Sequence, residues 1–304
     1  MPSLKFAPKI LLIFAALLWA GSAAAKGGDL FTTLSRDLER ELEDEVHFLA
    51  GSTCAGREFG TGGGSGAAFY IYRQLSDAGY DTAFQAFSAG SRRGHNIVAV
   101  TPGFHSRYIV VGAYFDGIGV IDGVRYPGAD TNASGVSAML ALARHFKTRV
   151  PAGTGLIFVA FDGHDADLAG SREFLRKYAL NYNITLMVNL DTIGSSHAPV
   201  LRQKPGYLLA LGGGPHAESL EWANRTVGLH LSYDYYGNSG FTDLFYLRTG
   251  DQKWFIERGI PSVMFTSGVT AHTNKPTDTA DTLDYPLLVR RVRMIAGWLA
   301  SMVK

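Results

Sequence analysis

The chain has 304 residues, a formal net charge of +1, 46% hydrophobic and 18% charged residues, and one cysteine, Cys54. The near-neutral balance excludes nucleic-acid or anionic-membrane binding driven by bulk positive charge. A single cysteine excludes an intramolecular disulfide framework and a Cys-ligated zinc site, while this length suffices for one large α/β core.

The chain opens with Lys5 and Lys9, an apolar run from Ile10 to Trp19, and Gly21-Ser22-Ala23-Ala24-Ala25. That order is a charged start, a short apolar stretch and a small-residue cleavage site, which predicts a secretory signal over residues 1–25. An apolar run of about 10–12 residues is short of the roughly 20 that a membrane span needs. The expected mature protein is therefore exported, periplasmic or secreted, with residues 26–304 as a single domain and no membrane span after cleavage. Loss of the segment removes two lysines and no acid, so the formal net charge passes from +1 to −1.

Leu30, Leu34, Leu38, Leu42 and Val46 recur at spacing four and predict an amphipathic helix ending near Leu49-Ala50-Gly51. Gly60, Gly62, Gly63, Gly64 and Gly66 then read as a loop, followed by a helix through Ile71 and Leu75 to Gly79. No apolar strand precedes these glycines and no Lys-Ser/Thr ends them, so a phosphate cradle is not supported.

From there apolar runs of strand length lie at Ile97–Val100, Tyr108–Ala113, Leu156–Phe161, Ile184–Leu190, Tyr207–Leu211 and Ser262–Phe265. Helical patterns lie at Val136–Arg149, Leu168–Leu180, Ala217–Val227 and Pro286–Val303. Continuous apolar strands alternating with helices predict an α/β fold whose central sheet is mostly parallel and covered on both faces. Sites in such sheets gather beyond the carboxyl ends of the strands. Asp116, His164, Asp165 and Asp191 each follow an apolar run directly, which predicts one common pocket. The aromatic group Tyr233, Tyr235, Tyr236 and Phe241 reads equally as a cleft lining or as a half-buried strand edge.

Three segments carry a resemblance: Val110-Val111-Gly112-Ala113-Tyr114-Phe115-Asp116, Gly128-Ala129-Asp130-Thr131-Asn132-Ala133-Ser134-Gly135, and Asn189-Leu190-Asp191-Thr192-Ile193-Gly194. They are similar to the motifs G-A-H-x-D, G-A-D-D-N-A-S-G and N-L-D-M-I-G of the co-catalytic zinc aminopeptidases, metallopeptidase family twenty-eight. Gly56-Arg57-Glu58-Phe59-Gly60-Thr61-Gly62, Arg258-Gly259-Ile260-Pro261 and Lys275-Pro276-Thr277-Asp278-Thr279-Ala280-Asp281 extend the match in order along nearly the whole mature chain.

The resemblance implies a zinc-exopeptidase-like fold and, in the family, five ligands around two zinc ions with a Glu base activating a metal-bound water. Matched position by position, the first His is Tyr114 and the bridging Asp is Thr131. The base is His164, the ligand beside it Asp165, the next ligand Asp191, and the last His is Asn274. Asp116 keeps the place of the carboxylate that orients the first His, Asp130 its place in the second motif, and His272 lies two residues before Asn274 as a candidate for entering the pocket. Tyr, Thr and Asn at three of five ligand positions do not make an ordinary zinc set. The expectation is an exported, non-catalytic pseudopeptidase without a cofactor, binding a peptide or protein partner and no nucleic acid. The alternative is a peptide-directed metallohydrolase with a remodelled single-metal site, zinc held by His164, Asp165 and Asp191 with His272 or Asp116. One-metal glutaminyl-cyclase relatives give that alternative a precedent, although their ligands correspond to Thr131, Asp165 and Asn274. A serine hydrolase finds no Gly-x-Ser-x-Gly at the strand-to-helix turns.

Overall fold

Leu38, Leu42, Val46 and Leu49 place one buried stripe along a helix, and in the computed structural model they form the inner face of α1, Leu38–Leu49. The structure describes residues 34, 36–147 and 153–303. The signal segment expected over residues 1–25 and the first turn expected for this helix lie outside the described residues.

Helix α2 spans Gly62–Asp77, so it begins inside the stretch expected to be a loop. Thr61 starts it as an N-cap, its hydroxyl accepting from the Gly64 amide at 3.3 Å. The glycines serve contact there: a Cβ on Gly63 would run into the Cys54 carbonyl and one on Gly64 into the Glu58 carbonyl. Cys54 is fully buried.

Among the described residues, eight strands form one sheet in the order β1-β2-β6-β3-β7-β10-β8-β9. They are β1 (Asp81–Ala89), β2 (Arg92–Val100), β3 (Arg107–Tyr114), β6 (Thr154–Phe161), β7 (Ile184–Leu190), β8 (Tyr207–Leu211), β9 (His230–Ser232) and β10 (Ser262–Thr266). A separate hairpin joins β4 (Gly119–Ile121) to β5 (Val124–Tyr126). The centre, β6-β3-β7-β10, is parallel throughout. Antiparallel pairs join β1 to β2, β2 to β6 and β8 to β10, and β8 pairs in parallel with β9.

Alternate residues of the central strands feed two separate cores, as a period of two requires. Ile109, Val111, Phe158 and Val188 pack with α1, α2, α3 (Ser134–Phe146) and α8 (Tyr285–Met302). Val110, Ile157, Val159 and Met187 pack on the other face with Phe174 of α4 (Ala169–Tyr178) and Phe255 of α7 (Lys253–Glu257). Burial on both faces explains why these strands read as unbroken apolar runs. The remaining helices are α5 (Ala217–Asn224) and α6 (Ser239–Leu244). Among the described residues no helix is long and apolar enough to cross a membrane.

Candidate functional site

Because β3, β6, β7 and β10 run in parallel, their carboxyl ends meet on one side of the sheet. The segments that leave them carry Tyr114 to Asp116, Asp162 to Asp165, Asp191 to Thr192, and Thr266 to Gly268. Two buried side chains fix these segments. Arg57 is fully buried and donates to the carbonyls of Leu49 at 2.6 Å, Phe115 at 2.7 Å, Pro127 at 2.8 Å and Gly128 at 2.8 Å. Asn132 donates to the Leu190 and Tyr114 carbonyls at 2.9 and 3.2 Å and accepts from the Thr192 and Gly135 amides at 2.9 and 3.2 Å. Its amide is thereby saturated, and it ties three loops together. Thr192 adopts φ 53°, a costly conformation for a β-branched residue. It is held by Asn132, and its carbonyl accepts from the Ser267 amide at 2.7 Å.

His164 is the most constrained side chain of the cleft. Its backbone amide donates to Asp116 Oδ1 at 3.0 Å and its Nδ1 pairs with Asp251 Oδ2 at 2.9 Å. Its ring stacks on Tyr114 with centroids 3.8 Å apart and planes at 16°. The His164 side chain is 17% exposed and that of Asp251 is 0% exposed. Burial works against a charged imidazole, but the hydrogen bond to Asp251 and the charges of Asp251, Asp191 and Asp116 outweigh it and push His164 up to about 9.

The neighbouring carboxyls move upward as well. Burial raises Asp191 to about 6 against the pull of His164. Burial together with the charge of Asp162 takes Asp116 well above the usual carboxylate range. Asp130, buried near Asp278, rises to about 7. Burial and the nearby carboxylates Asp191 and Asp165 keep the Tyr114 phenol protonated.

Thr131 is bonded to another carboxylate. Its hydroxyl donates to Asp278 Oδ2 at 2.6 Å and its amide to the same oxygen at 3.0 Å, while the Asp130 amide donates to Asp278 Oδ1 at 2.8 Å. The Thr131–Asn132 peptide is cis.

Tyr114, Thr131, His164 and Asn274 line both halves of a divided cleft. The narrow half, about 60 Å³, is also lined by Asp165, Tyr126 and Lys275. The wider half, about 250 Å³, adds Asp191, Tyr235, Phe245, Met264 and Val269. So the structure brings His164, Asp165, Asp191, Tyr114, Thr131 and Asn274 to one cleft, with Asp165 and Asp191 on different halves of it. Asp116 lies behind His164 with 1% of its surface exposed, and Asp130 is buried with its Oδ1 accepting from the Gly194 amide at 2.7 Å.

His272 is not among the residues lining the cleft. Its Nδ1 meets Thr277 Oγ1 at 3.0 Å and its ring lies 5.4 Å from that of His197, so the folding-back considered for it is not the observed arrangement. Of the aromatic group, Tyr235 lines the wider half, whereas Tyr236 and Phe241 stand exposed, 38% and 53%. Asp251 is the partner that sequence reasoning missed. It lies 87 residues from His164, and its only sequence signal is its place in the Gly250-Asp251-Gln252 stretch before Trp254-Phe255.

A model of peptidase family M28 matches residues 96–299. The chain belongs to peptidase family M28. A probable zinc metalloprotease of Pyricularia oryzae is 30% identical over 247 residues, covering 67% of this chain and 49% of that protein. The chain thus spans about half the length of the curated relatives it matches. Among solved structures, the zinc aminopeptidase BSAP of Bacillus subtilis superposes with a TM-score of 0.70 at 15% identity, over 87% of this chain and 95% of that one. A glutaminyl cyclase of Porphyromonas gingivalis gives 0.72 at 17% identity, over 87% and 98%. At these identities the likeness establishes the shared fold, and M28 is a family of zinc peptidases.

Proposed function

We propose that this M28 member is an exported pseudopeptidase: its cleft binds a peptide or a segment of a protein partner and does not hydrolyse it. The observation that carries the reading is the engagement of the side chains at two of the matched metal positions and at the base position. Tyr114 is stacked on His164, His164 is paired with Asp251, and the Thr131 hydroxyl is committed to Asp278. A two-zinc centre needs N and O donors converging on each ion. Among the described residues no group of three or more His, Cys, Asp or Glu side chains is arranged to hold a metal. With Tyr114, Thr131 and Asn274 at three of the five matched ligand positions, the donor set does not suit the family's zinc pair. Binding is supported by the wider half of the cleft, where Tyr235, Phe245, Met264 and Val269 offer apolar contact beside Asp191.

The test is to incubate the purified protein with a panel of peptide amides, with and without added zinc, and to follow hydrolysis and binding separately. Binding without turnover is expected. Hydrolysis that copurifies with the protein and disappears in His164→Ala would overturn the reading.

A second reading is favoured by one observation, the pairing of His164 Nδ1 with a buried carboxylate. Such pairing orients an imidazole for proton transfer. On that reading the cleft is a remodelled hydrolase acting on peptides, with at most one metal ion, and His164→Ala removes its activity. Export itself is tested by sequencing the amino terminus of the protein recovered outside the cytoplasm, which should begin at Lys26.

A further inference from the structure

In a metal centre that draws ligands from several strand ends, the cation cross-links the loops that carry them. Here the same loops are fastened by side chains. Tyr114 ends β3, His164 follows β6, and Asp251 precedes α7. His164 touches both others, its ring face on Tyr114 at 3.8 Å and its Nδ1 on Asp251 at 2.9 Å, and its amide holds Asp116 of the β3 loop at 3.0 Å. A second clasp lies across the cleft, where Asp278 receives the Asp130 amide and both the amide and hydroxyl of Thr131. The two carboxylates responsible, Asp251 and Asp278, are 0% and 1% exposed. Neither clasp is a surface ion pair of the kind that contributes little.

We propose that the Asp251–His164–Tyr114 assembly, seconded by Thr131–Asp278, is a built-in replacement for the metal centre: direct side-chain contacts hold the cleft loops in place of a shared cation. This rests on the reading that the zinc pair is lost, and it adds what took over its structural task. Asp251 is a positioning residue in this scheme, acting through His164. The cleft then keeps its shape with no metal, and adding one brings no further order.

A plain space-filling role for Tyr114 and His164 predicts something different. Filling space requires volume alone, so the stack would survive loss of Asp251. A replacement clasp requires the hydrogen bond to keep the ring in register. The experiment uses the mature protein, Asp251→Ala and Asp251→Asn, with two readouts. The first is the NMR shift of the His164 ring protons, displaced upfield by the Tyr114 ring current. The second is the change in melting temperature on adding zinc. Expected are a strong ring-current shift in the parent, its loss in Asp251→Ala, and its retention in Asp251→Asn, which still offers Nδ1 an acceptor. Zinc is expected to leave the melting temperature of the parent unchanged.

An unchanged His164 signal in Asp251→Ala would overturn the proposal, as would zinc binding to the parent that is abolished by His164→Ala. Should Asp251→Ala fail to fold, Tyr114→Leu removes the stack and leaves the pair. The ring-current shift must then vanish, and its persistence would equally overturn the assignment. The two proposals fail separately. Peptide hydrolysis by zinc-free protein refutes the pseudopeptidase and leaves the clasp standing, whereas zinc binding without hydrolysis does the reverse.

Discussion

Replacing Asp251 by Ala should destabilise the protein by about 3 kcal/mol at pH 6 and by less at pH 10. His164 titrates near 9 in the folded chain against an ordinary value of 6.5. At about 1.4 kcal/mol per pKa unit, that rise amounts to about 3 kcal/mol in favour of the charged imidazole. Because the folded value is raised, the contribution is fully present below pH 6.5 and is lost as pH climbs through about 9. Above that range a neutral imidazole N–H still donates to the carboxylate, a bond worth about 1.5 kcal/mol. Two effects make 3 kcal/mol an upper figure for Asp251 alone. Asp191 and Asp116 share in raising His164, and Asp251 Oδ1 is itself buried without a hydrogen-bond partner, a cost the substitution relieves. The assay is urea unfolding of parent and variant at pH 6 and pH 10, with the slope checked for constancy. An equal loss of stability at the two pH values would refute the electrostatic coupling and reduce Asp251 to packing.

Three other outcomes follow from the same geometry. Asn132→Ala strips four hydrogen bonds from a 0%-exposed position, two of them to the Tyr114 and Leu190 carbonyls, so it should cost about 4 kcal/mol in urea unfolding; a loss below about 1 kcal/mol would contradict its linking role. Arg57→Leu should be at least as damaging, since four buried carbonyls lose their donor, and circular dichroism melts will show whether the fold survives at all. Glu45 and Asp130 rise to about 7, and Asp162 and Asp191 to about 6, all through burial first. The folded state therefore keeps protons that the unfolded chain has released, and melting temperatures should fall between pH 4.5 and pH 7.5; a rise over that interval would refute these assignments.

What could be read from the sequence divides along physical lines. Ile184–Leu190 and Tyr207–Leu211 are visible to the residue because every side chain but Thr185 is buried and every one but Thr185 and Asn189 is apolar. Strand β1 was not foreseen, since Thr82, Gln85 and Ser88 interrupt it and most of its side chains face outward. Helix α2 starts earlier than the sequence suggests because four glycines near its start read as a loop, whereas two of them, Gly63 and Gly64, allow close contact with Cys54 and Glu58. For the site, position after a strand is enough to gather His164, Asp165 and Asp191 on the cleft, whereas Asp116, read in the same way, lies buried behind His164. The partners of those residues were not accessible in that way. Asp251 reaches His164 across 87 residues, and Asp278 reaches Thr131 across 147. Such pairings are set by how the segments leaving separate elements converge, and no local pattern records them. His272 shows the reverse error, where nearness in sequence to Asn274 suggested a pocket residue and the turn directs its ring to Thr277 and His197.

The most direct test of a zinc-free cleft is a calorimetric titration of the metal-stripped protein with zinc, repeated on Asp191→Ala. The expected result is no binding tighter than about 1 mM, a level at which association is worth only about 4 kcal/mol, and no difference between the two proteins. Micromolar or tighter binding in the parent that disappears in Asp191→Ala would contradict it and make this cleft a metal site after all.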